Sequence, residues 1–329
     1  MTLSRRHAAA GLFGLGAAAL SLSHALAQPP SDAPGPEDPA PTRIDTGADA
    51  YEHMMAPVMV NGHGPFQFLM DTGANVSCVS RDLAERLSLP VASPARVHTV
   101  VGVRERPAVL IDSLQVGERR RRAVHASSLA LDKGLDGVLG VDWLEGQRLE
   151  MGFKAKSLTI TRSKADLARE GFVAVVPARR RYGQLTIVDA DLGGRRISAM
   201  IDSGSQLTIC NAALREMVSA ANRRSGAADS YPRVGMETVL GESFSGEQIY
   251  LPFLRLGGLQ LGNVPVVYSE MHIFEMWGLK AKPAVILGMD LLTQFDTVAL
   301  DFGRSQVRFD LAQTPPAPAL RHSPDLGGV

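Results

Sequence analysis

The sequence predicts an all-β fold, mainly strand with few short helices, arranged as two similar lobes. The first observation is a repeated segment: an apolar run that ends in Asp-Thr-Gly within residues 68–74 returns with Asp-Ser-Gly within residues 199–205. The second is an apolar segment with a central Gly, at residues 138–144 and again at 286–292. Because both segments occur in the same order, each half of the chain is expected to fold as one lobe.

Shorter patterns complete each predicted lobe. Polar helical patterns after each Asp predict helices at residues 80–87 and 211–220. Glycines inside two further β-like runs predict hairpins. Each half closes on a predicted strand pair, and the two pairs are 149–153 with 157–160 and 298–302 with 306–309. The copies lie 131 positions apart at the Asp but 148 apart at the later Gly, which predicts an insertion in the polar stretch 222–233.

Composition narrows the class of protein. A chain of 329 residues that is 45% hydrophobic is long enough to bury two cores of ordinary size. Lys plus Arg and Asp plus Glu both number 34, so no overall charge favours a nucleic-acid partner. The two cysteines, Cys78 and Cys210, are too few for a disulfide framework, although a single bridge between them is the alternative to two buried thiols. The eight histidines lack metal-ligand spacing, and neither a metal nor another cofactor is expected.

The N-terminus carries the pattern of an export signal. The basic pair Arg5 and Arg6, an apolar stretch and a small-residue Ala-Leu-Ala site predict a signal peptide at residues 1–27. The apolar stretch is short for a membrane span, so an uncleaved anchor is the lesser alternative, and no stable span is expected after cleavage. Since the basic pair resembles a twin-arginine signal, the predicted location is the bacterial periplasm or the outside of the cell.

Shifts in composition set the other predicted boundaries. Residues 28–45 and 313–329 are rich in Pro and poor in large apolar residues, which predicts a disordered linker and a disordered tail. Between them, residues 46–162 are predicted to form the N-terminal lobe and residues 182–312 the C-terminal lobe. The charged, Ala-rich stretch 163–181 is predicted to be the crossover that joins the two lobes.

The residues around the two Asp copies resemble those of the pepsin and retropepsin class of aspartic proteases. Residues 60–65 leading into Asp71-Thr72-Gly73 look most like the bacterial retropepsin-like branch, and the resemblance covers about residues 55–311. It implies two pseudo-twofold-related acid-protease β-barrel lobes with the active-site cleft between them. It also implies a catalytic pair formed by Asp71 and Asp202.

The chemistry of peptide hydrolysis explains why two carboxyl groups are needed. One group removes a proton from water while another donates a proton to the carbonyl oxygen. Two close carboxyl groups that share one proton do both, because like charges a few Å apart do not both ionise readily. Which of Asp71 and Asp202 holds the proton is a property of the coupled pair and stays open at this point.

The same resemblance implies roles for the residues beside the pair. The hydroxyls of Thr72 and Ser203 are expected to tie the two active-site loops together. Gly73 and Gly204 are expected to let the backbone approach closely, since neither has a Cβ atom.

Four further glycines have expected roles away from the carboxyl groups. Gly102 and Gly241 are expected near the tips of two flap hairpins over the substrate cleft. Gly140 and Gly288 are expected to pack closely beneath the active-site loops. Gly140 and Gly288 are not expected to be catalytic.

Three other patterns are interpreted as structural. A third Asp-Thr-Gly at residues 45–47 lacks the preceding apolar run and is taken as a coincidence. Asp142 and Asp290 each precede an apolar pair, which predicts that they cap helices. The four arginines at residues 119–122 follow Gly117 and are predicted to lie in a solvated hairpin turn, with contact to an acidic partner as the alternative.

Three hypotheses for the function follow. The first is an aspartic endopeptidase that acts on protein or peptide substrates as a monomer with an internal pseudo-dimer. The second is a catalytically silent periplasmic module that binds peptides or regulates another protein with the same fold. The third, a homodimer of such chains that assembles the site, is less favoured because the internal repeat already supplies both carboxyl groups.

Overall fold

A computed structural model describes residues 41–48, 53–99, 102–131, 134–165, 173–181, 183–225 and 231–311 of the chain. These residues belong to one compact unit that begins at Pro39. The predicted signal peptide, residues 1–27, and the predicted tail, residues 313–329, lie outside the described residues. Within the described part, no helix is long and apolar enough to cross a membrane.

The first half of the chain is built almost entirely of strands. Two short helices interrupt them: helix α1 and a 3-10 turn at Val141–Leu144. The elements in chain order are β1 Thr42–Asp45, β2 Gly47–Ala48, β3 Met54–Val60, β4 His63–Met70, β5 Cys78–Ser80, α1 Arg81–Arg86, β6 Val91–Thr99, β7 Gly102–Val116, β8 Arg119–Leu129, β9 Gly137–Leu139, β10 Gln147–Gly152 and β11 Ser157–Arg162.

The second half uses the same kinds of element with one longer helix. The elements are β12 Val173–Arg181, β13 Gln184–Leu192, β14 Arg195–Ile201, β15 Ile209–Cys210, α2 Ala212–Ser225, β16 Arg233–Glu237, β17 Ser243–Leu256, β18 Leu259–Tyr268, α3 His272–Met276, β19 Ala284–Leu287, α4 Met289–Leu292, β20 Thr297–Asp301 and β21 Gln306–Asp310. The prediction of a mainly β fold with few short helices is confirmed.

Two sheets organise these strands. The first has eight strands in the order β2-β3-β4-β9-β5-β8-β7-β6. The second has thirteen strands in the order β1-β11-β10-β20-β21-β12-β13-β14-β19-β15-β18-β17-β16. In both, the strand that ends at the Asp copy lies beside a parallel partner: β4 beside β9 and β14 beside β19. The larger sheet therefore joins the two lobes.

The join between the lobes is a buried patch of antiparallel strands. Strand β10 of the first half pairs with β20 of the second, with Leu149 opposite Leu300. Both of these side chains are almost fully buried, as are Met151, Val298 and Leu158 around them. Each fully buried side chain of this size contributes about 1.5–3 kcal/mol from apolar burial. The hydrophobic core thus continues from one lobe into the other.

Two predicted boundaries are wrong at their inner ends. Residues 42–45, predicted as part of a disordered linker, form strand β1, because Thr42 and Ile44 alternate inward and the strand pairs with β11. Residues 173–181, predicted as part of the crossover, form strand β12, which pairs with β21 and β13. A short strand inside a polar stretch gives a weak local pattern, and its partner lies far away in the sequence.

The four arginines do not occupy a turn, which corrects a second prediction. The turn consists of Gly117 and Glu118, and residues 119–122 are the first residues of strand β8. Their partners on β7 include Leu114 and Val116, whose buried side chains hold the register. Arg120, Arg121 and Arg122 are exposed, and Arg119 is half-buried.

The predicted insertion is divided between two places. Helix α2 extends to Ser225, into the stretch where the whole insertion was predicted. The remainder of the insertion lies between strands β18 and β19. The connection from β8 to β9 spans residues 130–136, whereas the equivalent connection from β18 to β19 spans residues 269–283 and contains α3.

Candidate active site

Asp71 and Asp202 occupy equivalent positions at the ends of β4 and β14. The backbone N–H of Asp71 donates to the carbonyl of Leu139 at the end of β9. The backbone N–H of Asp202 donates to the carbonyl of Leu287 at the end of β19. Since each Asp terminates a buried strand and hydrogen-bonds to the parallel partner, both loops start from a rigid base.

Four reciprocal hydrogen bonds join the two loops. Thr72 Oγ1 donates to the carbonyl of Ile201 at 3.0 Å and accepts from the Ser203 N–H at 3.0 Å. Ser203 Oγ donates to the carbonyl of Met70 at 2.7 Å and accepts from the Thr72 N–H at 3.1 Å. Both hydroxyls are buried, and each uses its donor and an acceptor site across the lobe boundary. The two hydroxyls thus link the loop after β4 to the loop after β14.

The two glycines bring the carboxyl groups close. A Cβ atom on Gly73 would lie 2.5 Å from Asp202 Oδ1, and a Cβ atom on Gly204 would lie 2.5 Å from Asp71 Oδ1. Either distance is far shorter than a van der Waals contact, so each site accepts only Gly. The side chains of Asp71 and Asp202 lie close enough for each to shift the pKa of the other.

The surroundings of the two carboxyl groups differ in detail. Asp71 Oδ1 accepts from the N–H groups of Gly73 at 2.7 Å and Ala74 at 3.1 Å. Asp202 Oδ1 accepts from the Gly204 N–H at 2.9 Å. Burial raises the pKa of both carboxyl groups. The charge of Asp71 beside Asp202 raises the pKa of Asp202 further. Because the Asp71 charge adds to the effect of burial, Asp202 is the better placed of the two to hold the shared proton.

A second pair of side chains, Ser77 and Asp142, links the segment after Asp71 to the 3-10 turn. Asp142 Oδ1 accepts from both the N–H and the hydroxyl of Ser77, whose Oγ in turn accepts from the Gly140 N–H. Asp142 does not cap its 3-10 turn, since Gly140 is the capping residue. The predicted capping role of Asp142 is therefore wrong. Burial raises the pKa of Asp142 despite the Arg121 guanidinium 2.9 Å away.

The second lobe repeats this support with Thr in place of Ser. Thr208 Oγ1 donates to Asp290 Oδ1 at 2.7 Å and accepts from the Gly288 N–H at 3.1 Å. Gly288 caps helix α4, so the predicted capping role of Asp290 is also wrong. Burial raises the pKa of Asp290 as well.

Gly140 and Gly288 lie where close packing was expected. A Cβ atom on Gly140 would lie 2.7 Å from the carbonyl oxygen of Ala74, and one on Gly288 would lie 2.9 Å from that of Ser205. The N–H groups of Val141 and Met289 donate to the same two carbonyls. The loop after each Asp is thereby held against the start of a short helix.

Gln184 supports the site from the other lobe and was missed in the sequence. Its Nε2 donates to the carbonyl of Gly73 at 2.6 Å and also to Asn75 Oδ1. Gln184 is 1% exposed and begins strand β13. The one available signal in the sequence was its position 18 residues before Asp202. His53 likewise lies 18 residues before Asp71. His53 is also buried, and its charge lowers the pKa of Asp71 slightly against the dominant effect of burial.

The two carboxyl groups line a cleft of about 410 Å³. Val97 and Thr99 on β6 line the cleft from the first half of the chain, and Thr238 and Leu240 after β16 line it from the second half. These residues belong to the hairpins β6–β7 and β16–β17, so both hairpins border the cleft. Gly241 lies in the turn of the second hairpin and Gly102 is the first residue of β7, and neither glycine lines the cleft.

Helix α3 adds a further wall to the cleft on the Asp202 side. Met271, Ile273, Met276 and Trp277 all line the cleft from this segment. His272 at the start of α3 stacks on His98 of β6, with ring centroids 5.7 Å apart and planes inclined by 12°. Helix α3 of the second half therefore contacts the hairpin of the first half. Within the described residues, no group of three or more His, Cys, Asp or Glu side chains is placed to share a metal ion.

Comparison with known families gives two adjacent matches. The family model described as gag-polyprotein putative aspartyl protease matches residues 56–146, and the aspartyl protease family model matches residues 188–291. The chain carries two aspartyl protease domains in tandem. The first aspartyl protease domain contains Asp71 and the second contains Asp202, so each domain supplies one carboxyl group of the pair. No curated protein matches the chain at a significant level.

The tandem of aspartyl protease domains is consistent with a two-lobed, retropepsin-like aspartic protease. The matched range of the first domain covers strands β3 to β9, and that of the second domain covers strands β14 to β19. The strands that join the lobes, β10, β11, β20 and β21, lie outside both matched ranges. The family assignment supports a peptidase that acts on protein substrates.

Proposed function

We propose that this tandem aspartyl protease is an aspartic endopeptidase in which a water molecule held between Asp71 and Asp202 attacks the peptide carbonyl carbon. The observation that carries the proposal is the reciprocal cross-link between Thr72 and Ser203, which holds the two carboxyl groups together at the floor of a cleft. Two carboxyl groups in this arrangement share one proton.

The geometry supports a distinct role for each carboxyl group. Asp71, with two backbone donors, is ionised and takes a proton from the water as the water oxygen bonds to the carbonyl carbon. Asp202, whose pKa burial raises well above the usual range, gives its proton to the carbonyl oxygen. The proton on Asp71 then passes to the amide nitrogen, the C–N bond breaks, and a hydroxyl proton of the tetrahedral intermediate returns to Asp202.

The rate is expected to depend on pH through both members of the pair. Activity falls at high pH because Asp202 loses the proton that it donates, and it falls at low pH because Asp71 gains a proton and no longer accepts one. A bell-shaped profile of kcat/KM in the acid range is the expected result.

The test compares cleavage of a denatured protein mixture by the full chain and by two matched variants, Asp71→Asn and Asp202→Asn, between pH 3 and 7. Cleavage by the wild type and a loss of at least about a thousandfold in each variant are expected, since both groups act in the same step. The variants Asp45→Asn and Asp112→Asn control for general effects of removing a carboxylate. Equal cleavage by all five proteins would sink the proposal, whereas binding of peptides without cleavage by any protein would favour the silent module.

We also propose that the protein is exported to the periplasm or beyond. The support is the signal-like pattern of residues 1–27. The mature protein is expected to begin near Gln28, and N-terminal sequencing of the protein from a periplasmic fraction is the measurement. Recovery of the intact N-terminus from the cytoplasm alone would contradict this location.

A further inference from the structure

The loop after Asp71 is tied to the 3-10 turn at two places. Ala74 donates its N–H to Asp71 Oδ1 at 3.1 Å, and its carbonyl accepts from the Val141 N–H at 2.9 Å. Further along the loop, Ser77 donates its N–H and its hydroxyl to Asp142 Oδ1, at 3.0 and 2.8 Å. A residue that moves the 3-10 turn therefore also moves a group that is bonded directly to the Asp71 carboxyl.

Arg121 holds this turn from strand β8. Its Nη1 donates to both Oδ2 and the carbonyl oxygen of Asp142, each at 2.9 Å. The two contacts restrain the side chain and the backbone of one residue together. The guanidinium also lies over the ring of Trp143, 5.8 Å from the ring centroid, where the face of the ring attracts a cation. Arg121 thus contacts two consecutive residues of the 3-10 turn.

Strand pairing fixes the position of Arg121. It lies opposite Leu114 of β7, which is 1% exposed. The side chain of Arg121 is itself 44% exposed, whereas that of Asp142 is 20% exposed. An ion pair with so exposed a partner adds little to folding stability. The main effect of Arg121 is therefore expected on the geometry of the turn that it contacts.

Arg121 also favours the charge state of Asp142 that these contacts use. Burial raises the pKa of Asp142, and the Ser77 hydroxyl and the Arg121 guanidinium act against this rise. Both oxygens of an ionised carboxylate are acceptors, so one can hold Ser77 while the other holds Arg121.

The second half of the chain has a different residue at the equivalent position. Arg121 is the third residue of β8, and the third residue of β18 is Leu261. Asp290 holds the Thr208 hydroxyl in that half, but among the described residues no Arg or Lys shifts its pKa. The additional hold on the turn is therefore specific to the half that carries Asp71.

We infer that Arg121 is a positioning residue for cleavage: it holds the 3-10 turn through Asp142, and the turn holds the loop that orients the Asp71 carboxyl. The inference rests on the proposed function for its effect on rate, since Asp71 there takes a proton from the attacking water. Arg121 is not among the described residues that line the cleft. Its loss is therefore expected to change kcat rather than KM.

The first measurement compares the cleavage kinetics of the full chain with those of Arg121→Met, which keeps an unbranched apolar stem but removes both donors. The expected result is a loss of about tenfold in kcat with little change in KM, since a small misplacement of a catalytic group lowers the rate. Arg121→Lys keeps the charge and a donor but not the planar fork, and is expected to lose only about threefold. Arg120→Met is the matched control, because Arg120 is exposed on the same strand and bonds to Gln115 instead of the turn.

The second measurement does not depend on cleavage. Hydrogen exchange of single backbone N–H groups, followed by NMR on the full chain, reports local opening. In Arg121→Met, exchange at Gly140 is expected to be about tenfold faster, because its acceptor, Ser77 Oγ, belongs to the released loop. Exchange at Gly288, whose N–H donates to Thr208 in the second half, is expected to stay unchanged. A general loss of stability would accelerate exchange at both glycines.

Three results would overturn the inference: an unchanged kcat in Arg121→Met when the wild type cleaves, an equal loss of kcat in Arg120→Met, or exchange that is accelerated no more at Gly140 than at Gly288. Faster exchange at Gly140 alone, in a protein whose wild type cleaves nothing, would instead leave the hold of Arg121 on the loop standing and remove the proposed endopeptidase activity.

Discussion

At the scale of single residues, Gly204 makes the pairing of the carboxyl groups possible. We expect Gly204→Ala to abolish cleavage, by at least about a hundredfold in kcat, because the new methyl group would lie 2.5 Å from Asp71 Oδ1 and must push the pair apart. Cleavage assays with purified variants at the pH optimum give the measurement.

The control for this substitution is Gly235→Ala. Among the described residues, and apart from its two chain neighbours, no atom lies within 4 Å of the Cβ position at Gly235. It lies on strand β16 of the same lobe, so it reports any general cost of adding a methyl group to a glycine in a strand. Full activity in Gly204→Ala would mean that the carboxyl groups need not lie as close as the structure shows.

Asp202 itself is expected to lower the stability of the fold at neutral pH. Its pKa is raised in the folded protein, mainly by burial and then by the Asp71 charge, so the folded state binds the proton more tightly than the unfolded state does. The resulting stabilisation is complete below the unfolded pKa and is lost as pH rises through the folded pKa. Asp202→Asn, which has no charge to desolvate, should therefore unfold at a higher temperature than the wild type at pH 7 and at a similar temperature at pH 3.

Thermal unfolding of the two proteins at both pH values gives the measurement, at roughly 2–4 °C for each kcal/mol gained. Asp112→Asn on strand β7, where the side chain is exposed, is the matched control and is expected to leave the unfolding temperature unchanged at pH 7. A lower unfolding temperature for Asp202→Asn at pH 7 would show that the charged pair stabilises the fold.

At the scale of elements, strand β13 of the second lobe holds the loop after β4 of the first lobe through Gln184. We expect Gln184→Leu, which keeps the volume but removes the amide, to lower kcat about tenfold to a hundredfold while KM changes little. The reason is that the carbonyl of Gly73 and the side chain of Asn75 lose their donor beside the catalytic pair.

The separation of kcat from KM distinguishes a positioning role from a general loss of stability. Gln260→Leu, an exposed position on β18, is the control for the change of side chain. If Gln184→Leu lowers the unfolding temperature but leaves kcat unchanged, Gln184 contributes to the fold alone.

Elements with a clear local sequence pattern were predictable. Elements that depend on partners far away in the sequence were not. Helix α1 lies within the predicted range, because Ser80 caps it and its buried face repeats with helical spacing. Strand β1 was missed because four residues with only Thr42 and Ile44 inward carry little pattern, and their partner strand lies more than a hundred positions away. Gln184 was missed for the same reason, since 111 positions separate it from Gly73.

The two Asp residues themselves could be identified from sequence because the same chemistry is encoded twice. Their hydrogen-bonded supports were visible only in part. Asp142 and Asp290 were noticed as a matched pair but were given the wrong role, because a sequence does not show that Ser77 and Thr208 come between each of them and a glycine N–H. Helix α3 had no counterpart in the first half, so comparison of the halves could not reveal it.

At the scale of the whole molecule, strand β10 pairs with β20, and the reciprocal bonds of Thr72 and Ser203 are made within a single chain. A site assembled from two separate subunits is governed by mass action and is lost when the protein is diluted. Here the covalent connection fixes the effective concentration of one half at the other, so the carboxyl pair is expected to survive at any dilution. Because each half is encoded separately, a change in one is not copied into the other, and the second half could gain α3 while the first kept its short connection.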